Sequence, residues 1–280
     1  MSQTTSSRVS RLAVGIDIGG TGTKAGLVDI DRGEMIGDRV RLDTPQPATP
    51  DAVIDTVAEV LGGLADSAAS HGFIDAAEHL TRLPVGCAFP GVIKGGTVLF
   101  TGNLDPGFDG FPIVDALSEK IGARAHMAND ADAAGLAEMT YGAGRDHRKK
   151  TVIMTTLGTG IGTALFADGR LFPYAELGHI IIDGVAAEKR TSVSAMRREG
   201  YDMDEWCRRL TVYYRELERL FWPDLFIVGG GISKRSAEFL ADIDVDTPMR
   251  AATLLNNAGI VGAGLMGFNK GKMKVRRARS

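Results

Sequence analysis

Cysteine is scarce in this sequence: Cys87 and Cys207 are the only two among 280 residues. That is too few for a disulfide framework or a cysteine-based zinc site, and it fits a reducing compartment. Basic charge is not in excess either. Lys and Arg number 32 against 35 Asp and Glu, a net charge of −3, so no global basic field points to a nucleic-acid partner. Long apolar runs are missing: no window approaches the ~18 uninterrupted apolar residues of a membrane span. The apolar stretch after the polar, Ser/Thr-rich residues 1–11 breaks at Asp17, too short for a signal-peptide core. The expectation is a cytoplasmic protein with no membrane and no nucleic-acid partner. Residues 1–10 and the basic residues 270–280 read as disordered tails. What remains, 44% hydrophobic and 24% charged overall, is ample for a sizeable core and suggests two domains.

An internal repeat fixes the expected architecture. Residues 15–30 read Gly-Ile-Asp-Ile-Gly-Gly-Thr-Gly-Thr-Lys-Ala-Gly-Leu-Val-Asp-Ile, and residues 154–169 read Met-Thr-Thr-Leu-Gly-Thr-Gly-Ile-Gly-Thr-Ala-Leu-Phe-Ala-Asp-Gly. Each is a β-rich segment, a Gly/Thr turn and a second β-rich segment ending near an Asp. Two such hairpins half a chain apart predict two related α/β domains facing each other. Further strands are expected at 35–42, 85–89, 125–128, 152–156, 162–167, 179–183 and 225–228. Helices are expected at 50–69, 113–121, from 129, at 203–221, from 233 and at 258–268. Strands alternating with helices imply mixed sheets. The predicted division is 11–128 and 129–256, with a small-residue helix near 257–268 packing back on the first domain.

Five segments carry chemistry. In Asp17-Ile-Gly19-Gly20-Thr21-Gly22-Thr23-Lys24, glycines let backbone N–H groups face an anion, the threonines add hydroxyl donors and Lys24 a point charge. Asp17 can hold a hydrated Mg²⁺ beside phosphates. A plain Gly-rich hairpin turn is the alternative. The second hairpin offers Thr156, Gly158, Thr159 and Gly160 for the same purpose, and a strand follows where a dinucleotide fingerprint needs a helix. Asn129-Asp130-Ala-Asp132 sits where a strand enters a helix. Asn and Asp cap helices, but Asp130, expected to stay ionised near the helix N-terminus, can also accept a proton from a hydroxyl. Glu176-Leu-Gly-His179 puts an acceptor and a tunable donor on a loop lip, suited to vicinal hydroxyls; Asn103 and Glu188 are of the same type. Gly229-Gly230-Gly231 permits a nucleotide or phosphate close by, or simply a tight turn.

In this order the segments resemble the hexokinase–actin–heat-shock ATPase superfamily, and Glu-x-Gly-His is similar to the ROK group of repressors and sugar kinases. The resemblance implies two actin-like (ribonuclease H-like) domains around an interdomain cleft, closing over sugar. It implies Asp130 as general base for a 6-hydroxyl, and Asn103, Asn129, Glu176, His179 and Glu188 as sugar ligands. The two hairpins would bind phosphates. The ROK repressors carry an N-terminal DNA-binding domain; the first motif begins by residue 14, which argues against that branch. Most ROK kinases have a Cys-rich zinc motif after Gly-His. Here the segment reads Ile-Ile-Ile-Asp-Gly-Val-Ala-Ala-Glu188-Lys189-Arg190, similar to the polyphosphate glucokinases and polyphosphate/ATP glucomannokinases. The implied activity is a hexose 6-kinase that takes glucose, or glucose and mannose, with inorganic polyphosphate and ATP as donors. It would require Mg²⁺, carry no structural zinc and exist as monomer or homodimer. An ATP-only glucokinase and an actin-like assembly protein are the rivals. Basic clusters at Arg145/Arg148/Lys149/Lys150, Lys189/Arg190 and Lys234/Arg235 are candidate edges of a polyphosphate groove, Lys234 and Arg235 foremost.

Overall fold

The computed structural model describes residues 11–75, 77–102 and 104–270. It opens with an antiparallel meander, β1 (Leu12–Ile18), β2 (Thr23–Asp29) and β3 (Glu34–Leu42), followed by helix α1 (Pro50–Ser70). Helix α1 starts where Thr49 accepts the Ala52 N–H and Pro50 presets the first turn. Its stripe of Val53, Val57, Val60, Leu61 and Leu64 is buried and packs on β2 and β3; full burial of such a side chain contributes roughly 1.5–3 kcal/mol. Strand β4 (Val85–Phe89), the hairpin β5 (Gly91–Lys94) and β6 (Thr97–Thr101), helix α2 (Ile113–Ile121), strand β7 (Ala125–Asn129) and helix α3 (Asp130–Tyr141) complete the first half.

The second half repeats the plan: β8 (Val152–Leu157), β9 (Ile161–Ala167) and β10 (Arg170–Phe172) form the meander. A small hairpin, β11 (Ile181–Ile182) and β12 (Val185–Ala186), leads to α4 (Glu188–Thr191), α5 (Val193–Glu199) and the long α6 (Met203–Phe221). Strands β13 (Leu225–Gly229) and β14 (Met249–Ala251) and helix α7 (Ala258–Phe268) close the chain. The two five-stranded sheets run β3-β2-β1-β4-β7 and β10-β9-β8-β13-β14. In each, the meander is antiparallel and the last two strands join in parallel. The expected α/β class of two related halves with mixed sheets is therefore observed.

One core lies between the first sheet and α1 and α2; another lies between the second sheet and α6, around Trp206, Tyr213, Tyr214 and Phe226. The equivalents α3 and α7 cross between the sheets, α7 on β1 and β4 and α3 on β8 and β9. Small residues make that crossing possible. A Cβ at Gly262 would lie 1.7 Å from the Ala133 carbonyl oxygen, so only glycine lets the two backbones approach so closely.

Two expectations are corrected. Residues 179–183 are not a sheet strand: a 3₁₀ turn, Leu177–His179, precedes the two-residue β11, which pairs only with β12. Ser233 does not open an α-helix; Gly231–Glu238 is 3₁₀ and kinked at Arg235. No helix of the described residues is long and apolar enough to cross a membrane.

Candidate active site

A cleft of about 520 Å³ lies where the two sheets present the carboxyl ends of their strands. Gly19 and Gly20 follow β1, Gly91 follows β4, Asp130 follows β7, Gly158 and Thr159 follow β8, and Gly230 follows β13; all of them line the cleft. Carboxyl ends of strands are where open α/β sheets leave room for ligands.

The first Gly/Thr turn is pinned from behind. Gly19 N–H donates to the Gly22 carbonyl (3.1 Å), and the buried Thr44 hydroxyl donates to the Gly19 carbonyl (2.5 Å). Of the residues expected to bind phosphate there, Gly19 and Gly20 line the cleft, whereas Thr21, Gly22, Thr23 and Lys24 do not. Thr23 is fully buried at the start of β2. Lys24 Nζ sits 3.2 Å from Asp17 Oδ2. The second turn is fully presented: Thr156, Gly158, Thr159 and Gly160 all line the cleft, and the Gly158 carbonyl accepts the Ser194 N–H (3.2 Å). Of the glycine triplet, Gly230 lines the cleft and Gly229 and Gly231 do not. Gly230 has φ +84° and a Cβ there would fall 2.3 Å from the Leu157 carbonyl oxygen. Tight packing against β8 therefore demands this glycine whatever it binds.

Asn129 caps α3, its Oδ1 accepting the N–H of Ala131 (2.8 Å) and of Asp132 (3.3 Å), while its Nδ2 donates to the Gly91 carbonyl (3.3 Å). Asp130 lines the cleft beside it, its Oδ1 sharing the Ala131 N–H at 2.8 Å. Sequence alone suggested that the helix terminus would keep Asp130 ionised; the structure corrects this. Burial first, then the negative charges of Asp17 and Glu176, push its carboxyl up to about 7, outweighing the backbone N–H of Ala131. Asp132, which the motif named without assigning a role, is 1% exposed, with one carboxyl oxygen lacking a partner among the described residues. Burial pushes it up to about 7 as well.

On the far wall, Glu176, His179 and Glu188 come together in the cleft. His179 Nε2 lies 3.6 Å from Glu188 Oε1, and Glu188 Oε2 accepts the Ile161 N–H at 3.2 Å. The segment that stands where most ROK kinases have the Cys-rich motif thus places Glu188 at the start of the short α4, against the second Gly/Thr turn. Glu176 is raised above the usual carboxylate range by burial, against the influence of His179. Asn103 lies outside the described residues. The cleft wall formed by Pro90, Gly91, Phe100 and Gly102 was not anticipated, whereas Lys189, a candidate groove edge, does line the cleft. Phe100 stands edge-on to His179 at 5.8 Å, and its only sequence signal was a run of apolar residues at 98–100. Lys234 is exposed, and Arg235 is held by Glu238 through two contacts of 2.8 and 2.5 Å. Lys189, not this pair, is the cation on the cleft wall.

A metal is testable on chemistry. Among the described residues no group of three or more His, Cys, Asp or Glu could hold one. Asp17 nevertheless supplies a hard oxygen close to Asp130 and to the first turn of α7 at Gly259, which suits a Mg²⁺ that keeps its waters and arrives on a phosphate chain.

Two sheets of one topology with hairpin turns facing across a cleft define an actin-like phosphotransferase architecture, and the comparisons narrow it. The ROK family profile matches residues 13–207, and this chain belongs to the ROK family. It is 40% identical over 265 residues, 94% of both chains, to the polyphosphate glucokinase of Mycobacterium tuberculosis (strain CDC 1551 / Oshkosh). The crystal structure of the inorganic polyphosphate/ATP-glucomannokinase from Arthrobacter sp. strain KM superposes with TM-score 0.85 at 46% identity, covering 92% of this chain and 99% of that one. A ROK family glucokinase from Streptomyces griseus, in complex with glucose and AMPPNP, gives TM-score 0.73 at 26% identity, covering 90% and 98%.

Proposed function

We propose that this protein is a cytoplasmic hexose kinase that phosphorylates the 6-hydroxyl of glucose, with mannose as a second acceptor, from inorganic polyphosphate and from ATP. The observation that supports this best is the neighbourhood of Asp130: a buried carboxyl raised to about 7 faces the same cleft as both Gly/Thr turns and the Glu176/His179/Glu188 group. A base near neutrality both accepts a proton readily and is ionised in useful amount at physiological pH. The names of the relatives supply the sugar and the donor class.

In this reading the sugar rests against Glu176, His179, Glu188 and Asn129, whose acceptors and donors match hydroxyl groups. Asp130 takes the 6-hydroxyl proton as the oxygen attacks the terminal phosphorus, while the bridging P–O bond to the next phosphate breaks and the shortened polyphosphate, or ADP, leaves with that bond's electron pair. Gly19, Gly20, Thr156, Gly158, Thr159 and Gly160 hold the transferred and neighbouring phosphates, and Gly230 borders a nucleotide when ATP is the donor. Asp17 would hold Mg²⁺, which when bound neutralises charge on the phosphates. Positioning dominates phosphoryl transfer, so a modest base held in line is enough. The halves 11–128 and 129–256 would be the domains that close on the sugar. A matrix of donors (ATP-free polyphosphate, ATP) against acceptors (glucose, mannose, fructose) tests this, with glucose 6-phosphate expected from both donors. Product from ATP alone would replace this reading with an ATP glucokinase, and sugar-independent nucleotide turnover would end it.

A further inference from the structure

The turn ends of the first three strands carry a row of charges. In register, Asp17 on β1 faces Lys24 on β2, and Lys24 faces Arg41 on β3. Residues directly opposite in antiparallel strands project on one face. The row therefore leads from Asp17, beside Asp130, outward across the sheet. Lys24 is already matched by Asp17 at 3.2 Å, so the surplus positive charge falls at Arg41. Its guanidinium lies flat on the first Gly/Thr turn: Nη2 donates to the Thr21 carbonyl (3.2 Å), and a Cβ at Gly22 would come within 2.7–3.0 Å of Nη2, Nε and Cζ. Gly22 has no positive φ; what its missing side chain provides is room for this guanidinium. Among the described residues the carboxylate paired with Arg41 is Asp43 (2.8 Å), itself 82% exposed, and such surface pairs are weak. Arg41 remains 46% exposed, open to an anion approaching along the turn.

We propose that the row Lys24–Arg41 is a track for the non-transferred phosphates of polyphosphate, which leave the cleft across the first turn, with Arg41 as the donor-discriminating residue. The inference rests on the polyphosphate reading above. A long polyanion reaches from the cleft to Arg41, whereas the triphosphate of ATP ends in a nucleoside directed to the Gly230 side. The planar, forked guanidinium matches successive phosphate oxygens as an ammonium does not.

The test compares wild type with Arg41→Gln and Arg41→Lys, using long-chain polyphosphate, tripolyphosphate and ATP, with glucose saturating and then varied. For Arg41→Gln, KM for long-chain polyphosphate is expected to rise about tenfold, as for loss of one charge-assisted contact. kcat and the KM values for ATP and glucose should stay within about threefold, and Arg41→Lys should recover part of the loss. The slope of log kcat/KM against log salt should fall by roughly 0.7 for polyphosphate, the release expected for one lost contact on a flexible chain. Arg219→Gln, removing a cation held by Glu216 on α6, should leave all of these unchanged. An unaltered polyphosphate KM and salt slope in Arg41→Gln would overturn the track, as would an equal rise in KM for ATP and glucose, which marks a purely structural role at the turn. If wild type itself makes no glucose 6-phosphate from polyphosphate, the donor reading fails in that lane, before any variant is consulted, and the track fails with it.

Discussion

The two halves share one strand order, yet the helices that follow their fifth strands start differently. Helix α3 begins Asp130-Ala-Asp132, whereas α7 begins Ala258-Gly-Ile260. The first junction is capped by Asn129 and opens on the cleft. The second is tied down: Thr253 hydroxyl and Leu254 N–H donate to the fully buried Glu138 of α3, at 3.2 and 2.7 Å. The difference teaches that duplication supplies geometry and the junction residues supply chemistry. In the function proposed above one junction is the reaction centre, and its twin is tied to that centre's helix through Glu138.

The sharpest way to break this comparison is to disarm each junction in turn. Asp130→Asn should lower kcat by at least ~10²-fold, the contribution of a positioned acid–base group, with glucose binding retained in calorimetry. Thr253→Val should leave kcat within about threefold and cost about 1 kcal/mol of stability, one hydrogen bond's worth. Equal kinetic losses at both positions would show that the halves do not divide labour as described.

The crossing of the twins is the next largest effect. Gly262→Ala forces a methyl into the space of the Ala133 carbonyl and is expected to destabilise by about 1–3 kcal/mol or more, as overpacking does. Thermal unfolding would reveal it; an unchanged Tm would mean that the helices part without cost.

Asp132 sharpens the contrast with Ile260 through pH. Its folded-state pKa, up to about 7, exceeds the ordinary 3.8, so the folded protein binds this proton more tightly than the unfolded chain. The associated penalty is absent below about pH 4, grows as pH rises through 7 and is complete above it. Asp132→Asn is thus expected to stabilise by roughly 1–3 kcal/mol at pH 8, where an unpaired buried charge is removed, with the gain shrinking toward pH 5. A variant less stable than wild type at pH 8 would contradict the assignment of a strained acid.

The smallest effect is expected at Glu176, which the second half contributes to the proposed sugar site. Glu176→Gln should raise the KM for glucose by about tenfold through loss of a charged acceptor, with the polyphosphate KM unchanged. A donor effect instead would move Glu176 from the sugar to the phosphates.

Much of this was legible in the chain. Strands β1, β2, β8 and β9 announce themselves as apolar runs around Gly/Thr turns, and α1 and α6 as stripes at helical spacing. Strand β14 was not, because three residues with Arg250 at the centre show no period. The hairpin β5–β6, which brings Phe100 to His179, was not legible either, because its strands of four and five residues are short and carry only brief apolar runs. At the site, residue types declared themselves, but their electrostatics did not: the helix-cap argument put Asp130 at an ordinary acidity because sequence shows neither its burial nor Asp17 beside it. Likewise, Arg41 meets Gly22 only through the pairing of β2 and β3, and nothing local marks it.

The account turns on Asp130 as a base held near neutrality by its burial, and the pH dependence of kcat/KM for glucose tests that most directly. Polyphosphate should be saturating, with Mg²⁺ supplied. The base must be ionised to work, so activity should fall as pH drops through an acid limb that burial sets above the usual carboxylate range, and Asp130→Asn should lack that limb. Activity constant down to pH 5 in wild type, or a limb that persists unchanged in Asp130→Asn, would contradict it.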